Sequence, residues 1–138
     1  MSARTTFLVR LIGLFLIAMG LPMALNKADM VATITQVVHD PSLLLTFGMI
    51  TLALGLALVL GHNVWAGGAA PVIVTLFGWA LLAKTVVLFL PPALMVSLYQ
   101  TVRFDVFYYG YVAAILAIGL YLTYAGFRPA TGPALQRR

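Results

Sequence analysis

The sequence predicts an all-α membrane protein: four transmembrane helices as two tandem helical hairpins, with amphipathic interfacial helices on the outer side. Three observations carry the prediction. The 138 residues are 63% hydrophobic and only 8% charged, with a mean hydropathy of +1.08. Soluble domains run at roughly 45–50% apolar and about 25% charged, so these few charges cannot cover a water-facing surface. Four apolar segments each approach the ~20 residues that a helix needs to cross a bilayer. Proline and a capping aspartate stand where those segments begin and end.

The first segment covers about residues 6–25. Arg4 and Arg10 followed by an apolar run could mimic a secretory signal. The run is long and no clean small-x-small site follows it, so it reads as a first transmembrane helix. The second segment covers about residues 41–60. Asp40-Pro41 supplies an N-cap and then a proline at the first helical position. The third covers about residues 71–90, opened by Pro71 and closed by Pro91-Pro92, neither of which can continue the hydrogen-bond ladder. The fourth covers about residues 107–126. Helix is the expected form because backbone groups in lipid must be satisfied within their own segment. The alternation of a membrane β-barrel is absent.

The two longer connections carry stripes of their own. Met30, Val31, Ile34, Val37 and Val38 fall on one helical face, with Lys27, Asp29, Thr33 and Gln36 on or near the other. Leu94, Met95, Leu98 and Val102 repeat the pattern. Both predict short helices lying in the membrane interface. Residues 1–127 form one domain in this reading, and residues 128–138 a basic, mobile tail.

Charge sets the orientation. The formal net charge is +5, but the basic residues sit at chain ends and membrane flanks rather than on one face, which argues against a nucleic-acid partner. Arg4, Arg10, Arg128, Arg137 and Arg138 fall on one side. Lys27, Arg103 and all three acids, Asp29, Asp40 and Asp105, fall on the other. The positive-inside rule then places both termini, and the loop 61–70, in the cytoplasm. The absence of cysteine removes disulfides and thiolate chemistry.

The two halves echo one another. Leu11-Ile12-Gly13-Leu14 aligns with Leu76-Phe77-Gly78-Trp79 at an offset of 65. Leu52 to Leu56 aligns with Leu116 to Leu120 at an offset of 64. The repeats, about residues 5–62 and 70–127, each hold two membrane helices, so they run parallel and their pseudo-axis follows the membrane normal. The polar residues do not repeat: Arg10 aligns with Thr75, and Lys84 with Met19.

Few residues point to chemistry. Lys84 lies inside the third segment, where an ionisable group costs roughly 2.5–3.5 kcal/mol on insertion scales. It could pair with Asp105 as an intramembrane ion pair or ligand site, or snorkel to the outer headgroups. His62, Asn63 and Trp65 cluster after the second segment and could touch a headgroup or partner. An Asn helix cap and a Trp interface anchor are the plainer alternative. Trp79 sits near mid-membrane beside Gly78. His39 and His62 flank one helix and cannot share an iron. The tyrosines read as aromatic belts. Small residues at four-residue spacing, Ala53, Ala57 and Gly61, then Gly110 with Ala114 and Ala113 with Ala117, offer close helix approach. There is no Glu, and no nucleophile-elbow, phosphate-loop or zinc-helix motif.

Gly61-His62-Asn63-Val64-Trp65, then Thr75-Leu76-Phe77-Gly78-Trp79, Lys84 and Pro91, resembles a pattern in small four-helix bacterial inner-membrane proteins to which no activity is assigned. The resemblance covers the middle third of the chain. It implies four helices and a bacterial inner membrane, and it carries no activity. Thr85 departs from the pattern, which has glycine after the lysine.

The expected function is therefore non-enzymatic, without metal or cofactor. The protein would act by association in the lipid bilayer, as an accessory subunit of a larger membrane complex or as a homo-oligomer. A small transporter or channel centred on Lys84 is the alternative, with Thr46, Thr51, Thr75, Thr85 and Thr123 as further polar lining. Quinone or pigment binding is the second alternative.

Overall fold

The computed structural model describes residues 1–102 and 104–128, without the side chains of residues 92, 95, 99, 100, 102, 104 and 105. The expected mobile tail lies outside the described residues beyond Arg128. Among the described residues every element is an α-helix: α1 (Ala3–Leu25), α2 (Lys27–His39), α3 (Pro41–Gly61), α4 (Ala69–Leu88), α5 (Pro92–Val102) and α6 (Phe104–Phe127). Four of them, α1, α3, α4 and the 106–127 stretch of α6, are long and apolar enough to cross a membrane.

The helix ends follow local chemistry. Ser2 caps α1, its hydroxyl accepting from the Thr5 amide at 3.2 Å. Asp40 caps α3, with Oδ1 accepting from the amides of Ser42 (2.8 Å) and Leu43 (3.1 Å). Pro41 follows at a position whose missing N–H costs nothing. The loop after α3 turns on Gly67 and Gly68, at φ +90° and +110°, a left-handed conformation that side chains with a Cβ disfavour. That turn lets α4 start at Ala69, two residues before Pro71. Pro71 still falls in the first turn, where amides lack intrahelical acceptors. At the other end α4 stops at Leu88, ahead of Pro91 and Pro92.

The spans pair antiparallel as α1 with α6 and α3 with α4, and α1 meets α4 between the pairs. Each span's principal partner thus lies in the other half of the sequence. The reason is the connection. α2, with 13 residues, separates α1 from α3 by ~20 Å of helix, whereas a short loop turns α3 directly into α4. One core cluster, near the end that carries the N-terminus, joins Val9, Ile12 and Leu16 of α1 to Ala70 and Val74 of α4 and Leu122 of α6. At the far end Met23, Tyr108 and Val112 form a second, and Val38 with Leu44 a third beneath α2 and α5.

Glycine makes both seams close. A Cβ on Gly13 would stand 2.7 Å from the amide nitrogen and hydroxyl of Thr123, and one on Gly119 3.1 Å from the amide of Ile17. In the other pair, a Cβ on Gly78 would stand 3.2 Å from Val59 Cγ2, and one on Gly55 2.8 Å from Leu82 Cδ2. Positions 13 and 78, and 17 and 82, differ by 65. Positions 119 and 55, and 123 and 59, differ by 64. Residues aligned by these two sequence offsets therefore make paired contacts in the two seams.

The small residues at four-residue spacing lie outside both seams. Ala53, Ala57, Gly61, Gly110, Ala113, Ala114 and Ala117 are all exposed. Nothing stands within 4 Å of a Cβ built on Gly61 or Gly110.

Candidate functional site

Polar side chains concentrate at the end of the bundle where α1 begins and α6 finishes. Thr75, in α4, is fully buried there. Its hydroxyl lies 2.9 Å from the Val64 carbonyl, 3.2 Å from the Pro71 carbonyl and 3.4 Å from the His62 carbonyl. It also accepts from the Val64 amide at 3.0 Å. One hydroxyl thus ties the strand of chain leaving α3 to the start of α4.

His62 is 3% exposed, with Nε2 3.3 Å from the Pro71 carbonyl. A hydrogen bond there requires the proton on Nε2. The ring anchors the loop rather than facing outward. Asn63 and Trp65 are exposed and bond one another, indole Nε1 donating to Asn63 Oδ1 at 2.8 Å. Arg4 reaches the same loop, with Nη1 3.4 Å from the Gly61 carbonyl.

The α1–α6 seam has its own polar tie. Arg10 Nε donates to the Gly126 carbonyl at 2.8 Å, and its guanidinium lies 4.6 Å from the centre of the Phe127 ring. Gly126 falls in the last turn of α6, where carbonyls lack intrahelical donors and a cation is favoured. Arg128 stacks on Tyr124 at 5.1 Å. At the position aligned with Arg10 in the sequence, Thr75 also approaches the carbonyl of a residue ending a neighbouring helix, that of His62 at 3.4 Å.

At the far end Tyr108 is fully buried and donates from its hydroxyl to the Met23 carbonyl at 2.7 Å. That carbonyl lies in the last turn of α1, which breaks at Asn26. Lys27 Nζ lies 5.1 Å from the Tyr109 ring and 5.8 Å from that of Tyr108, within cation–π range.

Lys84 is exposed, with no hydrogen bond or ion pair among the described residues, while its neighbour Thr85 is buried and bonds the Leu81 carbonyl of its own helix. The Asp105 side chain lies outside the described residues, so the Lys84–Asp105 pairing offered as one alternative does too. Trp79 is 47% exposed. No group of three metal-ligating side chains occurs among the described residues. A cleft of about 190 Å³ at the far end is lined by Pro41, Leu44, Leu45, Leu88, Phe89 and Leu90, all apolar.

His62, Asn63 and Trp65 stand out in the sequence as a headgroup or partner contact, whereas Thr75 and Tyr108, which fasten chain to chain, do not stand out in that role. Their signal was present only in part: a lone Thr and one Tyr among several carry no spacing pattern. Four apolar spans and buried polar ties define a multi-pass helical membrane protein. No family model, curated protein or solved structure matches the chain.

Proposed function

We propose that this is a non-enzymatic protein of a bacterial inner membrane that works by association, as an accessory subunit or a homo-oligomer, with both termini cytoplasmic. The observation that carries the reading is the unused small-residue surface. Ala53, Ala57 and Gly61 of α3, and Gly110, Ala113, Ala114 and Ala117 of α6, face away from seams built on other glycines. In lipid, small residues let a second helix approach closely where bulky ones would hold it off.

The chain's polar groups support the same view. Thr46, Thr75 and Thr85 are engaged with backbone carbonyls, and the exposed Lys84 suits a stem reaching toward headgroups. A pathway through the bundle would need several polar groups turned inward along its length. The matched seam contacts favour a duplicated unit of span, interfacial helix, span, with α2 and α5 as the interfacial pieces.

Cysteine cross-linking in native membranes tests this. The wild-type chain has none, so single substitutions report cleanly. Ala57→Cys and Ala117→Cys are expected to give a discrete cross-linked product, and Leu14→Cys on α1 none. If all three behave alike, association through these faces is wrong.

A further inference from the structure

We infer that the N-terminal end of the α1–α6 seam is a binding site for the phosphate of an anionic phospholipid, held by Arg10 and Arg128. The argument begins with what Arg10 does not need to be. Its structural task is to donate one hydrogen bond to the Gly126 carbonyl. The aligned position in the other pair, Thr75, ties α4 to the chain leaving α3 with an uncharged hydroxyl, 2.9 Å from the Val64 carbonyl. The charge at position 10 therefore exceeds what holding the helices requires.

The guanidinium is also pre-positioned. Nε is spent on Gly126 and one face lies on Phe127. The two terminal nitrogens have no acceptor among the described residues. Arg128, next to Phe127 in the chain, lies over the Tyr124 ring at 5.1 Å. Fixing two planar forks on aromatic rings lowers the ordering cost of binding, and their edges suit bidentate contact with phosphate oxygens.

No carboxylate side chain competes. The three acids of the chain are Asp29 in α2, Asp40 capping α3 and Asp105 in the first turn of α6, all toward the other end of the spans. The site lies where a span meets the headgroup layer, so a lipid phosphodiester arrives at the right depth. A free phosphate offers the same chemistry without the acyl chains.

The test uses the full chain purified in mild non-ionic detergent. Native mass spectrometry would titrate phosphatidylglycerol, phosphatidylcholine and, separately, inorganic phosphate. Phosphatidylglycerol is expected to bind at low stoichiometry and phosphatidylcholine much more weakly, with no competition from millimolar phosphate. Arg10→Gln keeps a donor for Gly126 without the charge. Combined with Arg128→Gln it is expected to weaken phosphatidylglycerol about thirtyfold, and either alone about fivefold. Lys27→Gln, at the far end, should change nothing. Equal binding of the two lipids by the wild-type chain overturns the proposal even if the variants fail to fold. So does undiminished binding by a folded double variant. Competition by inorganic phosphate overturns the lipid assignment in favour of a soluble phosphate.

Discussion

Gly13→Ala should loosen the α1–α6 pair, and the size of the effect follows from what the new methyl meets. Its Cβ would stand 2.7 Å from the Thr123 amide nitrogen and hydroxyl, and 3.1 Å from the Gly119 carbonyl oxygen. Ordinary carbon contacts lie near 3.5–4.0 Å, so the helices must separate by roughly 0.5–1 Å. Two of the three obstructing atoms are backbone and cannot rotate away. Overpacking of this kind costs about 1–3 kcal/mol. Alanine recovers up to about 1 kcal/mol through helix propensity, which leaves a net loss of up to about 2 kcal/mol. Gly110→Ala is the matched control, because it makes the same chemical change inside α6 with nothing within 4 Å. Its net effect should be neutral or stabilising by up to about 1 kcal/mol. The propensity gain cancels between the two, so their difference isolates the overpacking term. Reversible unfolding in mixed micelles, followed by far-ultraviolet circular dichroism, measures it. Equal stability of Gly13→Ala and Gly110→Ala would refute the close seam.

Three further outcomes follow from the polar ties and the exposed lysine. Thr75→Val removes the acceptor of the Val64 amide and should cost about 1–3 kcal/mol in the same unfolding assay. Thr85→Val, which loses only a bond to a carbonyl of its own helix, should stay within about 0.5 kcal/mol. Tyr108→Phe should lose about 0.5–1.5 kcal/mol with the hydrogen bond to Met23, and limited proteolysis should then cut more readily near Asn26. Lys84→Leu should insert at least as well as wild type in a membrane-insertion assay, since a charge within a span is disfavoured by roughly 2.5–3.5 kcal/mol. Loss of association in Lys84→Leu would make the amine part of the interface.

The architecture was legible because hydropathy and length depend on composition alone. The four spans, Asp40 as a cap and the two shorter helices could be placed from residue type. The pairing could not. Gly13 and Gly119 look no different in sequence from Gly61 and Gly110, because what distinguishes them is the register of a helix more than a hundred residues away. The regular four-residue spacing of Ala53, Ala57 and Gly61 offers close helix approach but does not say whether within one chain or between chains. The seams instead use Gly13, Gly20, Gly119 and Gly126, and Gly48, Gly55 and Gly78. Thr75 reads in the sequence only as polar lining, since its role depends on a loop folding back eleven residues away. The place of Arg10 at a membrane flank is legible in the sequence, but its tie to Gly126 is invisible without the fold.

The central claim is that this protein works by association in the membrane. Its most direct test is purification from native membranes at native expression level in mild detergent, followed by size-exclusion chromatography and mass spectrometry. The account predicts reproducible, stoichiometric recovery with other subunits or with further copies of itself. A monodisperse monomer carrying only lipid would contradict it.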